Sequence, residues 1–283
     1  AYCAAVKRFE TILNELCDEL CLLRSSARND SHHLHGSVAK TMNDACALFL
    51  ADGFITPMAA VAGSVAQHVL AAMTEATPLT RAYVNNGGDI ALYLSPVSSF
   101  TVGLVHNIDQ PTINGSMRVD SEDGIGGIAT SGRGGRSFSL GIADAVTVLA
   151  STAAIADAAA TVIANAVDLP DHMSIKRQPA CQIKPDSDLG ERLVTISVGE
   201  LSQADILRAL SAGVEKAEML HSRGHIQAAA LHLSGRTRIV GAKNVSPISV
   251  LPPTRDSLSI YSAAMMDRSA SRRSPILSHL SGL

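Results

Sequence analysis

The sequence predicts an α+β fold: a mixed sheet flanked by helices in a single compact domain over residues 1–243, followed by a tail. Three observations predict it. Residues 2–23 set Ala5, Phe9, Leu13, Leu16, Leu20 and Leu23 at a helical period, with Glu, Lys and Arg on the other face. Residues 80–84 and 90–94 are short alternating runs on either side of Asn85-Asn86-Gly87-Gly88-Asp89, the pattern of a β-hairpin. Residues 142–150 read as a buried strand leading into an alanine-rich helix over 152–167, with Ser151 or Thr152 as its N-cap.

The remaining elements follow in order. Residues 24–36 form a polar loop holding His32, His33 and His35, open to reading either as a transition-metal cluster or as a solvated loop. Residues 37–50 read as a helix. In the helical stretch 54–73, Thr56 can cap and Pro57 can occupy the first turn. The small residues Ala59, Ala60, Ala62, Gly63, Ser64 and Ala66 leave room at that helix start, which serves equally for anion binding or for close helix packing. Residues 100–106 and 116–120 read as further strands, giving a sheet that is at least partly antiparallel. Residues 124–139 form a glycine-rich loop whose backbone N–H groups can approach an anion closely. Arg133 and Arg136 on it can pair with phosphates or lie in solvent. Residues 171–190, with Lys184, Asp186 and Asp188, read as a polar surface loop. Residues 193–198 read as a strand, and 202–223 as a helix capped by Ser202 with Asp205 in its first turn. Residues 226–233 and 237–240 close as a hairpin around Gly235. Residues 244–283 are rich in Ser, Arg and Pro and read as a disordered tail. Its basic residues Arg268, Arg272 and Arg273 follow Asp267 and read as solvated.

Composition narrows the function. The chain has 283 residues, is 46% hydrophobic and 17% charged, and carries a formal net charge of −3. That balance excludes an electrostatic nucleic-acid binder. Aromatic residues are only 3% and Trp is absent, so stacking platforms are few. No apolar run reaches the roughly 18–20 residues of a membrane span. The first residues show no secretory pattern, and the five cysteines lack zinc-site spacing, which places the protein in a reducing cytoplasm.

The chemistry concentrates on the alanine-rich helix. Asp157 and Thr161 stand four residues apart and so share one face. A carboxylate and a hydroxyl so placed are hard oxygen ligands of the kind Mg²⁺ or Ca²⁺ takes. The alternative is that Thr161 bonds back to the Asp157 carbonyl while Asp157 faces water. The apolar neighbours on this helix favour burial, and a buried Asp needs a partner.

Four segments, ITPMAAVAGSVAQ, YVNNGGDIAL, IATSG and ADAAAT, occur in that order and together resemble the ApbE superfamily. Its best-known members are Mg²⁺-dependent FAD:protein FMN transferases. The closer similarity is to a branch of short ApbE-like proteins with no established activity. The resemblance spans residues 1–243. It implies an ApbE-like sheet and helices, with Mg²⁺ and FAD as cofactors. By position, Ala62 (through its carbonyl), Asp157 and Thr161 would hold the metal. Asn86, Gly87, Gly88 and Asp89, with Thr130, Ser131 and Gly132, would line the nucleotide. An acceptor protein would supply the threonine hydroxyl, so no internal nucleophile is assigned.

The sequence departs from the transferase pattern at three places. Gly63 stands where the family has Lys, and His68 where it has Asp. No H-I-x-D-P-x-T-G segment follows Gly132, Asp144 being the nearest carboxylate. The strands that precede the first helix in the resembled branch are also missing, consistent with a fragment or a variant start. The function expected is Mg²⁺-dependent nucleotide binding with FMN transfer. The alternatives are a non-catalytic flavin- or nucleotide-binding protein and a different enzyme on the same scaffold.

Overall fold

The computed structural model describes residues 1–105, 113–241, 245–247 and 259–262. Helix α1 (Tyr2–Asp18) is followed at once by the short α2 (Leu20–Leu23). The helix expected over 2–23 is therefore broken, and the break falls on Glu19. Its carboxylate accepts the backbone N–H groups of His35 (2.7 Å) and Gly36 (2.6 Å), which fixes the start of α3 (Ser37–Ala47). On α1 the inward residues are Ile12 and Leu16, whereas Phe9 is 37% exposed, so the buried stripe is narrower than the periodicity suggested.

A 3₁₀ turn over Pro57–Ala60 leads into α4 (Val61–Ala76). Thr56 does not cap this turn; its hydroxyl donates to the carboxylate of Asp188 instead. The hairpin follows as β1 (Arg81–Asn86) and β2 (Asp89–Leu94), closed at the Asn86–Asp89 pair. Gly87 and Gly88 both have positive φ, +69° and +116°, as a right-twisted two-residue turn demands. Next come β3 (Ser99–Val105) and β4 (Ile113–Asp120), then β5 (Gly127–Ser131), β6 (Ala145–Ala150) and α5 (Ala153–Ala166). Thr152 caps α5, its hydroxyl accepting from the Ile155 N–H at 3.3 Å.

Two stretches read as loops contain regular structure. Within 124–139, residues Gly127–Ser131 are β5, an inner strand of the main sheet. Glycine sits there because α5 lies directly over the strand. A Cβ on Gly127 would come within 2.2 Å of the Ala153 backbone. Within 171–190, β7 (Ile175–Pro179) and α6 (Ala180–Ile183) form, and β7 pairs with β8 (Leu193–Val198). This pairing supplies the strand its backbone partners despite its polar side chains, a signal that periodicity does not carry. Helix α7 (Gln203–Ser222) is capped by Ser202, which accepts from the Asp205 N–H at 3.2 Å. The chain returns as β9 (Ala228–Leu233) and β10 (Arg236–Val240). Two short strands, β11 (Val245–Pro247) and β12 (Ser259–Ser262), pair with β4 and β3. The rest of the tail expected over 244–283 lies outside the described residues.

The main sheet has the order β1-β2-β5-β6-β9-β10, with every neighbouring pair antiparallel. A parallel pair, β3 with β12, occurs in the second sheet, β11-β4-β3-β12. Side chains alternate across the main sheet as its pleat requires. Ile90, Leu92, Ile128 and Leu149 face Phe100, Val102, Met117 and Val119 of the second sheet. Ala129, Val146, Val148 and Ala150 face the helices. Helices α4, α5 and α7 cover that face, and α5 is packed on nearly all sides. Among the described residues no helix is long and apolar enough to cross a membrane.

Glu19 gives the first test. Glu19→Ala leaves two part-buried backbone donors without their acceptor, and should destabilise the protein by about 1–2 kcal/mol in chemical denaturation. Glu19→Gln, which keeps one acceptor oxygen, should lose less.

Candidate functional site

Segments far apart in sequence meet where α4, α5 and the β1–β2 turn converge. Asp157 lies in the second turn of α5, aimed at the first turn of α4. Its Oδ2 accepts the Gly63 N–H at 2.9 Å. Of the two readings of this helix start, the close helix packing is present, and one of its N–H groups is taken by an internal carboxyl group. A Cβ on Gly63 would lie 2.2 Å from the Ala153 carbonyl oxygen, so only glycine lets the two helices approach this far. A second tie runs nearby, from the Ala154 N–H to Gln67 Oε1 at 3.4 Å.

The hairpin turn closes the other side. Asn86 Nδ2 donates to the Ala62 carbonyl at 3.2 Å, and Asn85 Oδ1 accepts the Gly88 N–H at 2.9 Å, holding the turn. Asp89 is 9% exposed and points to the helix face, its Oδ1 accepting the Thr130 N–H at 3.1 Å. Thr130 bonds through its hydroxyl to Thr147 at 2.9 Å, on the opposite face. Ser131 returns to the helix side, where Thr161 Oγ1 donates to its Oγ at 3.4 Å. That bond replaces the local back-bond considered for Thr161. Gly132, with φ +141°, ends the strand against the Asp144 carbonyl. Ala62, Asn86, Thr130, Ser131, Asp157 and Thr161 are all half-buried, so each keeps part of its surface open.

The electrostatics of this cluster centre on Asp89 and Asp157. Burial pushes the Asp157 carboxyl well above the usual carboxylate range, and the charge of Asp89 pushes it further; the backbone donors at Gly63 and Ala62 pull the other way. Burial also raises Asp89, to about 7, against the Thr130 N–H and the charge of Arg136. Two neighbouring carboxylates partly withdrawn from water repel each other. A divalent cation held beside them would offset that repulsion, and the half-buried oxygens of Thr161 and Ala62 are hard ligands of the right kind. The residues present therefore fit a small divalent cation. Among the described residues no group of three or more His, Cys, Asp or Glu is gathered for a metal, which removes the cluster reading of His32, His33 and His35.

The other expected residues lie elsewhere or do other work. Arg133 pairs with Asp144, whose other oxygen accepts the Ser234 N–H at 2.6 Å, so Asp144 fastens the β9–β10 turn. His68 Nε2 bonds Thr41 Oγ1 at 2.9 Å. Burial, then the charge of Arg8, lowers its pKa. Asp186 pairs with Arg24 at 3.0 Å. Two residues near the cluster were not singled out by sequence. Cys46 is fully buried, donates to the Thr56 carbonyl at 3.3 Å, and has its thiol pushed up by burial and by Asp157. Gln67, one turn after Gly63 on α4, carried no motif of its own.

Comparison with known proteins places the chain among relatives. A protein-family model described as AbpE bacteria matches residues 1–239. A UPF0280 protein of Methanopyrus kandleri is 41% identical over 128 residues, which is 45% of this chain and 48% of that protein. A UPF0280 protein of Methanothrix thermoacetophila is 40% identical over 131 residues, 46% of this chain and 52% of that protein. The chain spans about half the length of the curated relatives it matches.

The raised carboxyls set a pH dependence. Between the unfolded aspartate value of about 4 and the folded value of about 7 for Asp89, the native state binds protons that the unfolded state does not. Without divalent cations, stability from this pair should therefore rise as pH falls through that window. Asp157→Asn keeps an acceptor for Gly63 and removes one charge. It should raise Tm at pH 8 by several degrees, on a scale of about 2–4 °C per kcal/mol, with the gain shrinking towards pH 5. Calorimetry across that range checks it; a gain independent of pH would refute the charge explanation.

Proposed function

The chain belongs to the AbpE bacteria family, and from that premise we propose that it binds a phosphate-bearing nucleotide together with a divalent cation. One observation carries the reading: Asp89, buried, and Asp157, half-buried, come from different segments and sit close enough beside a glycine turn for the charge of Asp89 to raise the Asp157 carboxyl further. By the ApbE resemblance the cation is Mg²⁺ and the nucleotide FAD. Asp157, Thr161 and the Ala62 carbonyl hold the cation, with Asp89 adding charge. Bound there, the cation supplies charge neutralisation for a pyrophosphate. Asn86 to Asp89 and Thr130 to Gly132 border the nucleotide. In the transferase reading, the FMN phosphorus gains a bond to the threonine hydroxyl of an acceptor protein, and AMP leaves as the pyrophosphate bond breaks. The chain's own share is positioning and electrostatics. The five cysteines are all free thiols, in keeping with the reducing cytoplasm we assign.

A second reading, binding without transfer, is favoured by Gly63. The resembled enzymes carry Lys there, but here α5 lies so close that no side chain fits. Asp144, the carboxylate nearest to the missing motif, is occupied by Arg133 and the Ser234 N–H.

Calorimetric titration of FAD with and without Mg²⁺, followed by an assay for AMP release with a threonine-containing acceptor peptide, separates these readings. Mg²⁺-dependent FAD binding, lost at least tenfold in Asp157→Ala, is the expected result. AMP release would establish transfer, and binding without it would establish the second reading. Absence of FAD binding with retained Mg²⁺ binding would overturn the flavin assignment and leave the cation site standing.

A further inference from the structure

We infer that Arg136 is a built-in counter-cation of the acidic centre, which a bound divalent metal releases to the phosphate of the incoming ligand. This inference rests on the cation reading above and assigns that site its coupling. Arg136 reaches from the exposed loop after β5 onto the β1–β2 turn. Its guanidinium lies so near Gly87 that a Cβ there would be 2.3 Å from one of its terminal nitrogens. Gly87 thus serves two needs: the positive φ of the turn and room for the arginine. The turn ends in Asp89, and the charge of Arg136 acts on that carboxylate. A full positive charge is therefore already placed beside the turn that carries Asp89, on a side chain that is exposed and carries a long flexible stem.

A divalent cation and a guanidinium close to the same carboxylates oppose one another. Metal uptake cancels the negative charge that Asp89 presents to Arg136. The guanidinium, a planar fork suited to phosphate oxygens, then faces a centre whose charge has turned from negative to neutral. Both changes favour a polyanion. Metal and phosphate-bearing ligand accordingly bind with positive coupling, and Arg136 selects for phosphate. Arg133, in the same loop, reaches the other way, to Asp144 beside the β9–β10 turn.

The test uses Mg²⁺ alone and then inorganic pyrophosphate, by isothermal titration at low salt, on the full chain and on Arg136→Gln, Arg136→Lys and Asp157→Asn. Arg136 is exposed, and thermal melts confirm that the variants fold. Arg136→Gln should bind Mg²⁺ about three- to tenfold more tightly, with the difference shrinking at high salt. It should bind pyrophosphate in the presence of Mg²⁺ about tenfold more weakly. Arg136→Lys should resemble wild type towards the metal and lose affinity for pyrophosphate. Unchanged Mg²⁺ affinity in Arg136→Gln overturns the counter-cation role while the metal site stands. Tighter metal with unchanged pyrophosphate overturns the release to phosphate. If wild type and Asp157→Asn alike take up no Mg²⁺, the metal reading falls and this inference with it.

Discussion

The hydrogen bond from the Gly63 N–H to Asp157 is the constraint on which the site depends. It joins the first turn of α4 to the second turn of α5, and it forms only because neither helix carries bulk at the crossing. Ala153, Ala154, Ala156, Ala158, Ala159 and Ala160 are all buried on α5, and Gly63 faces them. Through α4 this contact places the Ala62 carbonyl against Asn86, and so fixes the hairpin turn and Asp89. Through α5 it places Thr161 against Ser131. Small residues that looked like a weak core are what allow backbone-to-backbone packing here, so the polar groups are held by helix axes as well as by rotamers.

Much of this was legible in the sequence. The hairpin around Gly87 and Gly88, the Thr152 and Ser202 caps and the closing hairpin at Gly235 have local chemical signatures, and all form as expected. The four motif segments also lie together in the fold, through the Gly63–Asp157, Asn86–Ala62, Thr130–Asp89 and Thr161–Ser131 hydrogen bonds. What escaped is set by distant partners. Glu19 breaks a continuous helical period because two N–H groups from another segment need its carboxylate. Gly127 and Ser131 look like loop residues until α5 is laid across them. Thr56 has the chemistry of a cap, but a carboxylate from residue 188 takes its hydroxyl. No local pattern encodes such partners, because periodicity and propensity act over a few residues only.

The electrostatic character of the centre was the least legible part. Asp89 belongs to a turn motif and Asp157 to a helix, and each alone is an ordinary carboxylate. Burial raises Asp89, and burial together with the charge of Asp89 raises Asp157. Of the two arginines in the loop after β5, Arg133 pairs with Asp144 beside the β9–β10 turn, and Arg136 lies against Gly87 of the β1–β2 turn. Gly63 presents no side chain at the start of α4, and a guanidinium that reaches the glycine turn comes from the loop after β5.

The strand order has a further consequence for how the chain becomes a protein. Every group assigned to the site is in place by Thr161, yet β6 finds its second neighbour only in β9, which begins at Ala228. During synthesis the groups assigned to the site therefore emerge well before the sheet beside them is closed. In that interval β6 presents an open, apolar edge made of Val146, Val148 and Leu149. An unpaired edge of this composition invites association with other nascent chains. The interval between translating α5 and docking the last hairpin is thus the stretch in which a chaperone has most to protect.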